Sequence, residues 1–108
     1  MSTTPVDLGL DYDYEFTRWD PDLALNPHYQ HLAHLLPVER YGAIVGHPDK
    51  VGRCRSGITF DGEAARAVEP DRPRWTVEAW DPLSISPSLL CRACGDHGFI
   101  REGRWVQA

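Results

Sequence analysis

The chain has 108 residues, with 11 Lys or Arg against 16 Asp or Glu, a formal charge of −5, three cysteines and four tryptophans. That length predicts one domain, 1–108, burying roughly 60–70% of the unfolded surface, which is room for a small core and not for an enzyme of ordinary size. Hydrophobic content of 42% and charged content of 25% exclude disorder, collagen-like repeats and disulfide-dense toxins, and the acidic balance argues against nucleic acid as a partner.

The acidity is concentrated. Residues 1–24 carry six carboxylates against Arg18 alone, the entire excess, and the remaining ten acids and ten bases balance. The opening MSTTPVDLGLDYDYEF has no basic or continuous apolar region, so no secretory leader is expected. No run approaches the roughly 18 apolar residues of a membrane span. A reducing cytosol is the simplest setting, where an odd number of cysteines with two spaced C-x-x-C points to metal or redox chemistry instead of a disulfide framework.

From Leu8 to Phe16 apolar residues occupy even positions and Asp11, Asp13 and Glu15 the odd ones, which predicts one strand with a solvated row of carboxylates about 7 Å apart. Residues 1–24 thus form an acidic strand and turn. Asn26-Pro27 then opens a helix over 25–37, with Tyr29, Leu32, Ala33 and Leu36 as its apolar stripe. On an α-helical wheel His28, His31 and His34 fan over about 120° of the polar side, too widely for one ion. Residues 38–108 read as a β-rich core built around a metal knuckle. A short strand over Tyr41–Val45 precedes a turn-rich Gly46–Gly52, and Ile58–Phe60 meets a turn at Asp61-Gly62. Residues 63–68 fit a strand or one helical turn, residues 74–80 and 83–86 read as strands, and Gly98–Arg101 and Arg104–Val106 as a closing hairpin. The expected fold is α+β, predominantly β: a small antiparallel sheet, one short helix and a C-terminal zinc-knuckle-like turn.

The densest set of soft ligands is Cys91-Arg92-Ala93-Cys94-Gly95-Asp96-His97. A C-x-x-C turn followed by glycine lets two thiolates converge on one ion at about 2.3 Å from each sulfur. His97 is the expected third ligand and Cys54 the fourth, with His47 as the alternative. Four protein ligands make a closed, structural zinc site. The competing reading is that the cysteines are small buried residues at a tight turn. A thioredoxin-like motif fits less well, because Gly95-Asp96-His97-Gly98 is poor helix material.

Catalytic readings find less support. His47-Pro48-Asp49 before Cys91-Arg92-Ala93-Cys94 resembles the order of the zinc deaminase signature, but Asp stands for Glu, Leu90 for proline, and no helix follows either half. Ser84, Ser86 and Ser88 surround Pro87 without a G-x-S-x-G elbow or a paired base, so no catalytic residue is assigned. Trp75, Trp80, Phe99 and Trp105 are expected to be core residues, and Arg92, Arg101 and Arg104 a local basic patch.

The segment WTVEAWDPLSISPSLLCRACGDHGFIREGRW, Trp75–Trp105, resembles a family of small uncharacterised proteins of actinobacterial phages and bacterial mobile or conflict loci. The resemblance covers about the last third of the chain and implies a phage or prophage origin and metal binding around Cys91, Cys94 and His97, without an activity. The function expected on these grounds is a zinc-stabilised, non-catalytic module that binds an unidentified protein in the host cytoplasm, or in a virion, with no membrane contact. The oligomeric state is left open. Two alternatives stand beside it: a zinc-dependent hydrolase or deaminase with Asp49 or Asp96 as base, and a phage structural subunit whose acidic strand extends a neighbour's sheet.

Overall fold

Alternating polar and apolar residues favour strands, and the computed structural model, which describes residues 5–49 and 52–108, is built chiefly from them. Strands β1 (Val6–Gly9), β2 (Tyr12–Trp19), β3 (Val38–Asp49) and β4 (Gly52–Thr59) form an antiparallel sheet in that order. Strands β5 (Thr76–Trp80) and β6 (Leu83–Ser86) pair with each other, and β7 (Leu89–Leu90), β8 (His97–Arg101) and β9 (Arg104–Gln107) make a third sheet. A 3₁₀ helix spans Pro27–Leu35, and α1 spans Glu63–Val68. This is the β-rich α+β fold expected from the sequence. Among the described residues, no helix is long and apolar enough to cross a membrane.

The single strand expected over Leu8–Phe16 is two strands. Leu10 and Asp11 take φ of 56° and 67° and form the tight turn of a β1–β2 hairpin, with Asp7 opposite Asp13 and Gly9 opposite Tyr12. Positive φ at both central residues matches the right-handed twist of the flanking strands, and Gly9 before them, at φ 82°, extends the run to three. Leu8, Tyr12 and Tyr14 stay in the core, and Leu10, at the turn, is 70% exposed.

The acidic row is also not a solvated edge. Strand β2 lies between β1 and β3, and β1 covers its edge from Tyr12 to Tyr14. Asp13 meets Arg53 at 2.8 Å and Glu15 meets Arg55 at 3.8 Å, both arginines reaching from β4 across β3. Gly46 on β3 makes the crossing possible, because a Cβ there would stand 3.2 Å from Arg53 Nε and closer still to Asp13 Oδ1.

The helix differs from expectation in its winding. With three residues per turn, i and i+3 eclipse, so His28, His31 and His34 line up instead of fanning out. The His28 and His31 rings stand 6.5 Å apart on the exposed side, Leu32 is buried, and Ala33, assigned to the apolar stripe, is exposed. Strand β3 runs through His47-Pro48-Asp49, where a turn was expected; Lys50 and Val51 of that turn, and residues 1–4 of the N-terminus, lie outside the described residues. The turn at Asp61-Gly62 leads into α1, and residues 63–68, which fitted a strand or one helical turn, are helical, burying Ala64 and Ala65. The C-terminal hairpin is present, with Glu102 and Gly103 at φ of 50° and 73°.

The core joins the three sheets. Ile85 of β6 and Ile100 of β8 are 0% exposed, and each contributes about 2 kcal/mol by leaving water. Tyr12 of β2 stacks on Trp105 of β9 with centroids 4.2 Å apart and planes 8° apart. That stack fixes the N-terminal sheet against the C-terminal one and directs the Tyr12 hydroxyl toward the knuckle. Among the tryptophans expected in the core Trp105 is buried, Trp75 is half-buried and Trp80 is 40% exposed, with Arg40 over its ring.

Candidate functional site

Two groups of reactive side chains flank the turn at residues 91–96. The turn is closed by Cys91 N–H donating to Asp96 O at 2.8 Å and Gly95 N–H donating to Cys91 O at 2.7 Å, with Gly95 in the left-handed region at φ 77°. The hairpin of β3 and β4 supplies the opposite wall, where His47 and Cys54 are cross-strand partners and so share a face.

The first group is His47, Cys54, Cys91 and Cys94, whose ligand atoms all lie within 4.8 Å of one another. Cys54 Sγ is 3.5 Å from Cys91 Sγ, far beyond the roughly 2.05 Å of a disulfide, and Cys94 Sγ is 3.8 Å from His47 Nε2. A tetrahedral zinc with sulfur at about 2.3 Å and nitrogen at about 2.0 Å has edges of roughly 3.5–3.8 Å, so these separations suit one ion. His47 is 3% exposed; its Nδ1 lies 3.2 Å from Pro48 O and 3.4 Å from Asp96 Oδ2, and Cys94 Sγ stands 3.9 Å from Nδ1 and 3.8 Å from Nε2. The Ser56 hydroxyl, 3.4 Å from Cys91 Sγ, is the main cause that brings the Cys91 thiol down to about 6 against its burial, with the Cys94 N–H and His47 assisting. The downward shift favours the thiolate, the form that ligates metal.

Asp96 anchors the outer layer of the cluster. Burial opposes its ionisation, but hydrogen bonds from the Tyr12 hydroxyl and from Gln107 Nε2, together with His47, outweigh it and hold the carboxyl below its usual range. Gln107 also accepts from Trp105 Nε1 at 3.0 Å. Burial, then Asp96, pushes the Tyr12 phenol well above its ordinary value, so it stays a donor. A carboxylate behind a ligating imidazole fixes its tautomer and orientation, which is the arrangement metal-bound histidines use. Asp96 is committed to this contact and is not poised as a base. The alternating α/β layers of a deaminase are absent among the described residues.

The second group contains the residue expected as third ligand. The structure gathers Cys54, Cys91 and Cys94 with His47 and places His97 elsewhere: its Nε2 lies 2.8 Å from Ser88 Oγ. The physical reason is strand alternation. His97 starts β8 on the exposed face opposite Leu90, whereas the Cys91 sulfur turns inward. Ser88 has no paired base in its sequence neighbourhood, and the antiparallel pairing of β8 with β7 supplies one. The signal available in the sequence was a serine and a histidine on either side of a tight turn, with apolar residues on both flanks that could pair. Among the described residues, no carboxylate comes within ion-pair distance of the His97 ring, so the arrangement is a dyad. Trp75 Nε1–H donates to Ser88 O at 3.2 Å and fixes the serine's main chain.

Ser88 opens on a cleft of about 700 Å³ lined by Gly57, Thr59, Trp75, Leu90 and Arg92. Leu90 is 57% exposed beside it. A hydroxyl bonded to an imidazole at the wall of an accessible cleft is the minimal equipment for nucleophilic acyl transfer.

A family model described as bacterial ubiquitination-like system serine protease (BubE) matches residues 51–108, more than half of the chain, and the chain belongs to that family. No curated protein and no solved structure matches significantly. The matched segment holds Ser88, His97 and all three cysteines, while His47 lies just outside it. This membership overturns the expectation of a non-catalytic binding module, because the family's description is that of a protease. It also replaces the phage label with a bacterial family that is not phage-specific.

Proposed function

We propose that this family member is a serine hydrolase that cleaves an amide or isopeptide bond within a bacterial ubiquitination-like system, with Ser88 as nucleophile and His97 as general base. The observation that carries the reading is the 2.8 Å contact between Ser88 Oγ and His97 Nε2, inside the family-matched segment and at the wall of the cleft. Ser88 Oγ attacks the carbonyl carbon while its proton passes to His97 Nε2. The imidazolium then returns that proton to the leaving nitrogen as the C–N bond breaks, leaving an ester on Ser88. Water, deprotonated by His97, attacks the ester, and the proton goes back to Ser88 Oγ as the acid is released. Trp75 holds the serine's main chain during both steps.

The test is covalent labelling with a fluorophosphonate. One adduct per chain on Ser88, absent in Ser88→Ala and formed at least about 100-fold more slowly in His97→Ala, is the expected result. An adduct that persists in Ser88→Ala, or no adduct at all, overturns the reading.

A second observation supports a separate role for the thiols. His47, Cys54, Cys91 and Cys94 offer four protein ligands, and we assign them a structural zinc with no coordination position left for water. Zinc there would tie the β3–β4 hairpin to the turn between Ser88 and His97. Elemental analysis giving one zinc per chain, lost in Cys54→Ser, is expected. Protein purified without chelators and free of metal would overturn this assignment and leave the serine reading intact.

A further inference from the structure

We infer that the substrate is an extended, acidic polypeptide segment that adds as a strand to the open edge of β4, bonded to the main chain of Gly57 across the cleft from Ser88. The inference rests on the hydrolase reading and adds to it the form of the substrate and the residues that select it.

The cleft lies between two sheet edges. Strand β4 ends the four-stranded sheet and β7 ends the C-terminal one, and residues of both line the cavity. Which groups of β4 face it follows from two hydrogen bonds. Phe60 N–H donates to Tyr41 O at 2.9 Å, toward β3, while Thr59 O accepts from Trp75 N–H at 2.9 Å on the far side. In a strand the N–H and C=O of one residue point the same way, and successive residues alternate. Gly57, two residues before Thr59, therefore presents its N–H and C=O away from β3 and into the cleft.

Trp75 already uses this edge. It takes its N–H to Thr59 O and gives its own carbonyl to Asp61 N–H at 2.8 Å, so one strand-like residue covers the end of β4 and Gly57 continues the same row uncovered. A segment entering the cleft meets a row of main-chain groups that only another extended chain satisfies. A Cβ built on Gly57 meets nothing within 4 Å, so no side-chain crowding arises from its neighbours at this position.

Charge narrows the class. Arg92 and Arg72, the latter 3.6 Å from Glu69, line the cleft against Asp71. This balance favours acidic residues flanking the bond to be cut and disfavours a basic chain.

The experiment measures binding on the Ser88→Ala background, where no turnover occurs, by fluorescence anisotropy with reduced, carboxymethylated, fluorescein-labelled casein as an unfolded acidic probe. Gly57→Pro removes the outward N–H, a change that edge strands tolerate, and is expected to weaken binding at least about tenfold. Gly57→Ala keeps the N–H and is expected to bind within about threefold of the parent, which separates the lost hydrogen bond from a steric effect. Arg92→Glu leaves every main-chain donor and acceptor of β4 in place and is expected to weaken binding about tenfold as well. Equal binding by Gly57→Pro and its parent, no saturable binding by the parent, or binding of labelled polylysine as tight as that of casein would each overturn the inference. Failure of the hydrolase reading shows instead in fluorophosphonate labelling, which does not depend on these variants.

Discussion

His47 and His97 stand on either side of one six-residue turn, and their surroundings differ in every respect that sets imidazole chemistry. His47 is 3% exposed, faces three sulfurs and has a carboxylate behind its Nδ1. His97 is exposed and faces, at 2.8 Å, the hydroxyl of a serine that lines a cleft. A buried imidazole among thiols is suited to hold a fixed ligand geometry, and an exposed one on a hydroxyl is suited to move a proton. The turn serves both: Cys91 and Cys94 enter the thiol cluster, while Ser88 lies just before β7 on one side and His97 opens β8 on the other. A bound metal would therefore clamp the segment that sets the distance between nucleophile and base.

The sharpest way to break this contrast is to exchange the losses. His97→Ala is expected to lower turnover at least about 10³-fold while keeping full zinc content. His47→Ala is expected to lose the metal. If His97→Ala releases zinc and His47→Ala retains it, the roles are reversed. Metal removal comes next. Stripping zinc with a strong chelator is expected to destabilise the fold on the order of 4 kcal/mol, seen as a fall of more than about 15 °C in the melting temperature; an unchanged melting curve would leave the cluster without a structural role. Asp96→Asn tests the outer layer and is expected to weaken zinc affinity 10- to 100-fold, read by competition with a chromogenic chelator. Trp75→Phe removes the donor to Ser88 O at a cost of about 1 kcal/mol, expected as a roughly fivefold fall in kcat with KM little changed. The smallest effect belongs to the acidic strand. Arg53→Gln is expected to shift stability by about 0.5 kcal/mol in urea denaturation, because the Asp13 pair is partly exposed and screened.

Much of the fold was legible because its signals are local. Alternation marked most of the strands, and the closing hairpin followed from Glu102-Gly103 between two apolar pairs. The same alternation misled at Leu8–Phe16, since a two-residue turn at Leu10-Asp11 leaves the even positions apolar on both sides of the break. The helix histidines were misplaced because 3₁₀ and α winding share a residue pattern and differ only in turn angle. The thiol cluster was legible as composition, with Cys54, Cys91 and Cys94 named from chemistry and spacing. The choice between His47 and His97 was not, because it depends on which face of a strand each side chain takes.

The sequence by itself determined a small β-rich chain with its excess charge near the N-terminus and three soft ligands that suit a metal. Local periodicity and side-chain chemistry are enough for that. Only the tertiary structure decided that the acidic strand lies inside a sheet against Arg53 and Arg55, that His47 joins the cysteines, and that Ser88 meets His97. Each of these outcomes is a pairing between strands, and register moves a side chain from one face to the other when it shifts by one residue. No local pattern carries that information, so a site made of a serine and a histidine nine positions apart becomes visible only once β7 and β8 are laid side by side.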